Sequence, residues 1–119
     1  MNHLTNNEIF ELRKYVTNQL TDIPHIVIDL IEVTNDNNTL WINFGETQVF
    51  LNRPHFSYKI FIFKNQGLYY IQYAEYYYVS FPGRPIITTQ LYEIEDIDDV
   101  FNVLEDIFDT LRPRDEYYI

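Results

Sequence analysis

Eight carboxylates stand between Glu93 and Asp109 (Glu93, Glu95, Asp96, Asp98, Asp99, Glu105, Asp106 and Asp109), and the segment holds no lysine or arginine. Crowded carboxylates can do three kinds of chemistry: share protons as general acid and base, ligate a hard cation, or meet a cationic surface. Acid–base work needs a cleft that pushes two pKa values apart, and no second motif in the chain builds one. A calcium loop needs a glycine at its sharp turn and a bidentate glutamate at its end, and Asp96, Asp98 and Asp99 are followed by neither at the required spacing. The third chemistry remains. A solvated helix commonly interleaves both signs, each i,i+4 pair contributing roughly 0.2–0.5 kcal/mol. Here one sign stands alone, either for solubility or as a face for a basic partner.

Other chemistries lack their parts. There is no cysteine, which removes thiolate nucleophiles, disulfides and thiolate metal sites. Ser57 and Ser80 are the only serines and neither lies in a GxSxG turn. Three glycines cannot build a phosphate-cradling loop. His3, His25 and His55 share no metal-ligand spacing. The expectation is a protein that is not an enzyme and carries no cofactor and no metal.

A second cluster is aromatic. Tyr69, Tyr70, Tyr73, Tyr76, Tyr77, Tyr78 and Phe81 fall within thirteen residues. In a strand, alternation puts Tyr70, Tyr76 and Tyr78 on one face and Tyr69, Tyr73 and Tyr77 on the other. One face belongs to the core; the other packs across strands or meets a partner. Tyrosine suits interfaces because it buries a large area and keeps a hydroxyl for hydrogen bonding. A base-stacking platform would normally come with cations, and only Lys59, Lys64 and Arg84 are near in sequence.

The elements that must position these residues follow from periodicity. Thr5 and Glu8 form a capping box, and Ile9, Leu12, Val16 and Leu20 make one apolar stripe of a helix that ends before Pro24. Strand-like segments follow: 25–33, 39–44, 47–51, 58–63, 68–81 with a bulge or bend near Ala74-Glu75, and 86–92. Turn clusters separate them at 34–38, at Gly45-Glu46, at Asn65-Gln66-Gly67 and at 82–85. Along 58–63, Tyr58, Ile60 and Ile62 share one face and Lys59, Phe61 and Phe63 the other. The last element is an acidic helix over 96–111, with Ile97, Val100, Phe101, Leu104, Ile107, Phe108 and Leu111 inward. At ~100° per residue, Asp98, Asp99, Glu105, Asp106 and Asp109 fall within an arc of roughly 120° on its outer side.

The order helix, five or six mostly antiparallel strands in a meander, helix defines an α+β fold, a two-layer sandwich with both helices on one face. A length of 119 residues predicts a single domain spanning 1–119, with 112–119 as a short tail. Apolar content of 46% and aromatic content of 18% argue against disorder despite a net charge of −10. That charge, with only eight scattered basic residues, disfavours direct contact with nucleic acid or an anionic membrane. The lack of cysteine and of a long apolar run fits a cytoplasmic protein.

In size, charge and architecture, though in no residue motif, the chain resembles the small acidic inhibitors of bacteria and phages, such as immunity proteins. The resemblance implies an immunity or antitoxin-type protein that neutralises a basic nuclease-like toxin or another nucleic-acid-handling protein. Glu95, Asp98, Asp99, Glu105, Asp106 and Asp109 would supply charge, and Tyr69, Tyr70, Tyr73, Tyr76, Tyr77 and Tyr78 would supply the exposed anchors. The alternative is a secretion or assembly chaperone, often a homodimer, holding an extended client on an aromatic sheet face.

Overall fold

The computed structural model describes residues 3–34, 38–46, 55–78 and 86–112, the side chains of His55, Tyr78 and Ile86 excepted. Helix α1 (Asn6–Thr21) is followed by strands β1 (Ile26–Val33), β2 (Leu40–Glu46), β3 (His55–Asn65), β4 (Leu68–Tyr78) and β5 (Ile86–Ile94), and by helix α2 (Ile97–Leu111). The strands pair antiparallel in the order β1-β2-β3-β4-β5, an α+β meander. The expected strand over 47–51, the turn residues 35–37, the loop 82–85 and the tail 113–119 lie outside the described residues.

Local chemistry sets each boundary. The Thr5 hydroxyl accepts from the Glu8 amide at 3.0 Å while the Glu8 carboxylate accepts from the Thr5 amide at 2.8 Å, so the capping box is closed. Asp96 caps α2, its carboxylate accepting from the Asp98 amide at 3.1 Å. The β3–β4 hairpin turns at Gln66-Gly67, both left-handed at φ 51° and 81°, which matches the twist of the strands they join.

The register decides which side chains meet. Leu40, Ile42 and Phe44 of β2 stand opposite Ile62, Ile60 and Tyr58 of β3, and Ile60 and Ile62 stand opposite Tyr73 and Ile71 of β4. These rows pack beneath Leu12, Val16 and Leu20 of α1 and Val100, Leu104, Ile107 and Phe108 of α2, forming one buried cluster. Both helices cover this one face, as the amphipathic stripes predict.

Two expectations about the strands are corrected. Gly45 and Glu46 continue β2 rather than turning it. No bulge occurs at Ala74-Glu75, where the β3–β4 register runs unbroken from His55↔Tyr78 to Asn65↔Leu68. The irregularity lies in β1 instead, where Asp29 is passed over between Ile28↔Phe44 and Leu30↔Asn43. That extra residue resets the alternation. Ile26 and Ile28 before it, and Ile31 and Val33 after it, all pack against the core. Without the bulge, Glu32 would point under the helices.

Arg112 ties the helix layer together at the C-terminal ends of both helices. Its guanidinium donates to the Gln19 side chain at 2.6 Å, pairs with Asp22 at 3.2 Å and lies 3.6 Å from Asp109.

Candidate functional site

A sheet with helices on one face leaves its other face to solvent, and the register says what stands there. Trp41, Phe61, Gln72 and Leu91 form one cross-strand row, continued on β1 by Glu32. Phe63, Tyr70 and Glu93 form the next. Val27, Gly45, Ser57, Tyr76 and Ile87 form a third. Leu91 is 63% exposed, Ile87 54% and Val27 45%, so this surface is uncovered among the described residues.

The rings on this face are ordered against one another. Trp41 stacks on Phe61 with centroids 5.8 Å apart and planes 15° apart, and Phe63 stacks on Tyr70 at 5.2 Å and 13°. The Trp41 indole N–H donates to Asn43 at 2.9 Å, which fixes its orientation. Between the two pairs lies a shallow depression of about 260 Å³, bordered by Thr39, Phe61, Phe63 and Gln72. The ammonium of Lys59 stands 5.3 Å from the Tyr76 ring centre, a cation–π contact worth roughly 0.5–1 kcal/mol at an exposed site.

The predicted tyrosines divide by face as alternation requires. Tyr70 and Tyr76 are half-buried on the open face. Tyr69 and Tyr73, expected among the exposed anchors, are 7% and 5% exposed beneath the helices and leave the candidate surface. Tyr77 is half-buried on the helix side, 4.7 Å from Phe56. The side chain of Tyr78 lies outside the described residues.

The buried phenols are structural. Tyr69 donates to the Glu8 carboxylate, which joins β4 to the cap of α1. Burial first, then the Glu8 hydrogen bond and charge, pushes Tyr69 up to about 12. Tyr73 donates to Glu75 at 2.9 Å, and burial followed by the Glu75 charge drives it far above the ordinary range. Tyr58 is raised the same way by burial, then by Glu46 and Glu75. All three phenols stay neutral near pH 7 and supply no general base there.

The acidic set lies elsewhere. Glu95, Asp98, Asp99, Glu105, Asp106 and Asp109 are all exposed. Those of α2 point away from the sheet, because Val100, Leu104, Ile107 and Phe108 point into it. Asp109 is partly compensated by Arg112, and Asp99 accepts from Asn102 at 3.3 Å. Among the described residues no lysine or arginine pairs with Glu95, Asp98, Asp99, Glu105 or Asp106. The acidic face and the open-face tyrosines Tyr70 and Tyr76 thus occupy opposite sides of the molecule and do not form one continuous patch.

Sequence reasoning passed over Trp41, Phe61, Phe63, Leu91, Glu32 and Glu93 as site residues. The signal is strands apolar on both faces, one of which the two helices of the described residues cover. Among the described residues no group of His, Asp or Glu could hold a metal ion, and no helix is long and apolar enough to cross a membrane. No protein-family model matches the chain, and no curated protein or solved structure does either.

Proposed function

We propose that this chain is a non-catalytic protein-binding domain that occupies and blocks a basic protein partner, in the manner of an immunity or antitoxin protein. The observation that carries the reading is the aromatic sheet face opposite the helices, uncovered among the described residues. Trp, Tyr and Phe in a packed, orientationally fixed group are the residue types that dominate binding energy at interfaces. The net charge of −10 selects the sign of the partner and raises the encounter rate. The acidic face of α2 contributes to that long-range field. Its distance from the open face limits its direct contribution, since the screening length is about 8 Å at physiological salt.

The test is affinity capture from the native host with three baits: the parent chain, Tyr70→Ala with Leu91→Ser, and Asp98→Lys with Asp99→Lys and Asp106→Lys. The expected partner is a basic protein. Its binding is lost with the open-face variant and is slower, with a flatter salt dependence, for the α2 variant. An acidic partner, or capture indifferent to the open-face substitutions, sinks the reading.

One observation favours a second reading, a chaperone that holds an extended client. Strand β5 is at the sheet edge and exposes Ile87 and Leu91, so a client strand could lie alongside it and bury those side chains. Mass measurement in solution separates the two: a stable dimer favours the chaperone and a monomer favours the inhibitor.

A further inference from the structure

We infer that the open-face depression between Trp41–Phe61 and Phe63–Tyr70 is a seat for an arginine side chain of the partner. The inference rests on the proposed docking of a basic protein on this face and names the group that would be read there.

Three observations converge on arginine. Phe61 and Phe63 border a depression open to solvent together with Thr39 and Gln72, and each ring is stacked nearly parallel on a cross-strand neighbour, Trp41 and Tyr70 respectively. A planar guanidinium stacks on such surfaces and sheds its water more readily than an ammonium does. Beyond the depression, the flanking strands β5 and β1 each carry a carboxylate on this face. Glu93 stands directly across from Tyr70, and Glu32 directly across from Trp41. Cross-strand neighbours are only ~5 Å apart at Cβ, so each carboxylate reaches a cation lying over the adjacent ring. Both carboxylates are exposed, and neither meets a lysine or arginine among the described residues.

The molecule also uses this chemistry internally, since Lys59 lies over Tyr76 on the same face and Lys64 lies 4.8 Å from the Tyr69 ring centre on the other. Lys59 is engaged on Tyr76, one row beyond Ala74, and among the described residues no lysine or arginine stands over the Phe63–Tyr70 pair. A second copy of this chain is a poor occupant, because each copy brings a net charge of −10. A nucleic acid is disfavoured by the same charge and by the two flanking carboxylates.

Trp41 is the only tryptophan, so its fluorescence reports directly on the seat. The parent chain is titrated with a short neutral peptide carrying arginine, and with the same peptide carrying lysine or citrulline instead. Citrulline keeps the planar shape and removes the charge. A saturable Trp41 response to the arginine peptide is expected, weaker by roughly fivefold for lysine and by at least that for citrulline. Glu93→Gln should weaken the arginine peptide by roughly three- to fivefold, whereas Asp98→Asn with Asp99→Asn and Asp106→Asn should leave it within about twofold.

Equal responses to arginine and lysine, lowered mainly by the α2 variant, would overturn the seat but leave a basic partner in place. Equal responses to arginine and citrulline would overturn both, because charge would then be irrelevant. Absence of any Trp41 response to the arginine peptide overturns the seat alone, since capture of a basic partner through Tyr70 and Leu91 is judged separately.

Discussion

Removal of one hydroxyl, in Tyr69→Phe, tests what holds β4 in the register that presents Tyr70 and Tyr76 to solvent. Tyr69 is 7% exposed and donates to Glu8, whose carboxylate also closes the cap of α1 through Thr5. A hydrogen bond to a charged acceptor contributes about 1.5–3 kcal/mol, and water reaches the half-buried Glu8, so the loss should straddle the lower end of that range, ~1–2 kcal/mol. For a chain of 119 residues, an unfolding entropy of about 2.1 cal/mol/K per residue converts each kcal/mol into ~4 °C, giving a fall in Tm of roughly 4–8 °C. The effect should depend on pH with a definite sign. Burial acts to raise Glu8, but hydrogen bonds from Thr5 and Tyr69 and the Lys64 charge outweigh it and hold the carboxyl below its ordinary 4.5. A carboxyl depressed in the folded state contributes stability that is present above its ordinary value and is lost as pH falls through the folded value. Parent and variant should therefore differ most above pH 5 and converge as pH falls below 4.5 and through the folded value. Calorimetric scans from pH 7 down to acid measure this. A variant melting within about 1 °C of the parent at pH 7, or a gap that does not narrow in acid, refutes the coupling.

Other expectations are independent of that bond. Phe108 is fully buried between α2 and the sheet, so Phe108→Ala should cost about 3–5 kcal/mol in denaturant unfolding, enough to unfold much of a marginal domain. Gly67→Ala should cost about 1 kcal/mol by backbone strain alone, because φ is +81° while nothing lies within 4 Å of an added Cβ. In an alkaline titration followed by ultraviolet absorbance, Tyr69 should ionise at about 12, with Tyr58 and Tyr73 ionising only as the fold is lost; ionisation of these three at the ordinary phenol value of 10.0 would contradict their burial. Leu91→Ser should leave Tm nearly unchanged, since most of that side chain is already in water.

Where local chemistry decides structure, the sequence could be read directly. The Thr5–Glu8 box, the stripe from Ile9 to Leu20, the Gly67 turn and the inward face of α2 depend on residues near one another in the chain. The division of Tyr69 and Tyr73 from Tyr70 and Tyr76 follows from alternation alone. Which of those faces lies under the helices does not, because it depends on what the neighbouring strands bring. The bulge at Asp29 was equally hidden: an unbroken strand would put Glu32 inward, and only pairing with Leu40 and Ile42 makes the extra residue necessary. The same limit applies to the candidate site. Trp41, Phe61, Phe63 and Tyr70 come from three strands, and their assembly into one patch is a property of register rather than of any local motif.

The meander has a consequence for synthesis. Each strand pairs with the one made just before it, so the sheet can assemble progressively as the chain leaves the ribosome. Helix α1 precedes the sheet it helps to cover, but α2, which brings Val100, Leu104, Ile107 and Phe108 to the same core, emerges afterwards. Until then, the part of the sheet that α2 covers would be greasy on both sides and vulnerable to sticking. The arrival of α2 ends that exposure and, in the same step, wraps the newly closed side in negative charge, so solubility and closure are delivered by a single late segment.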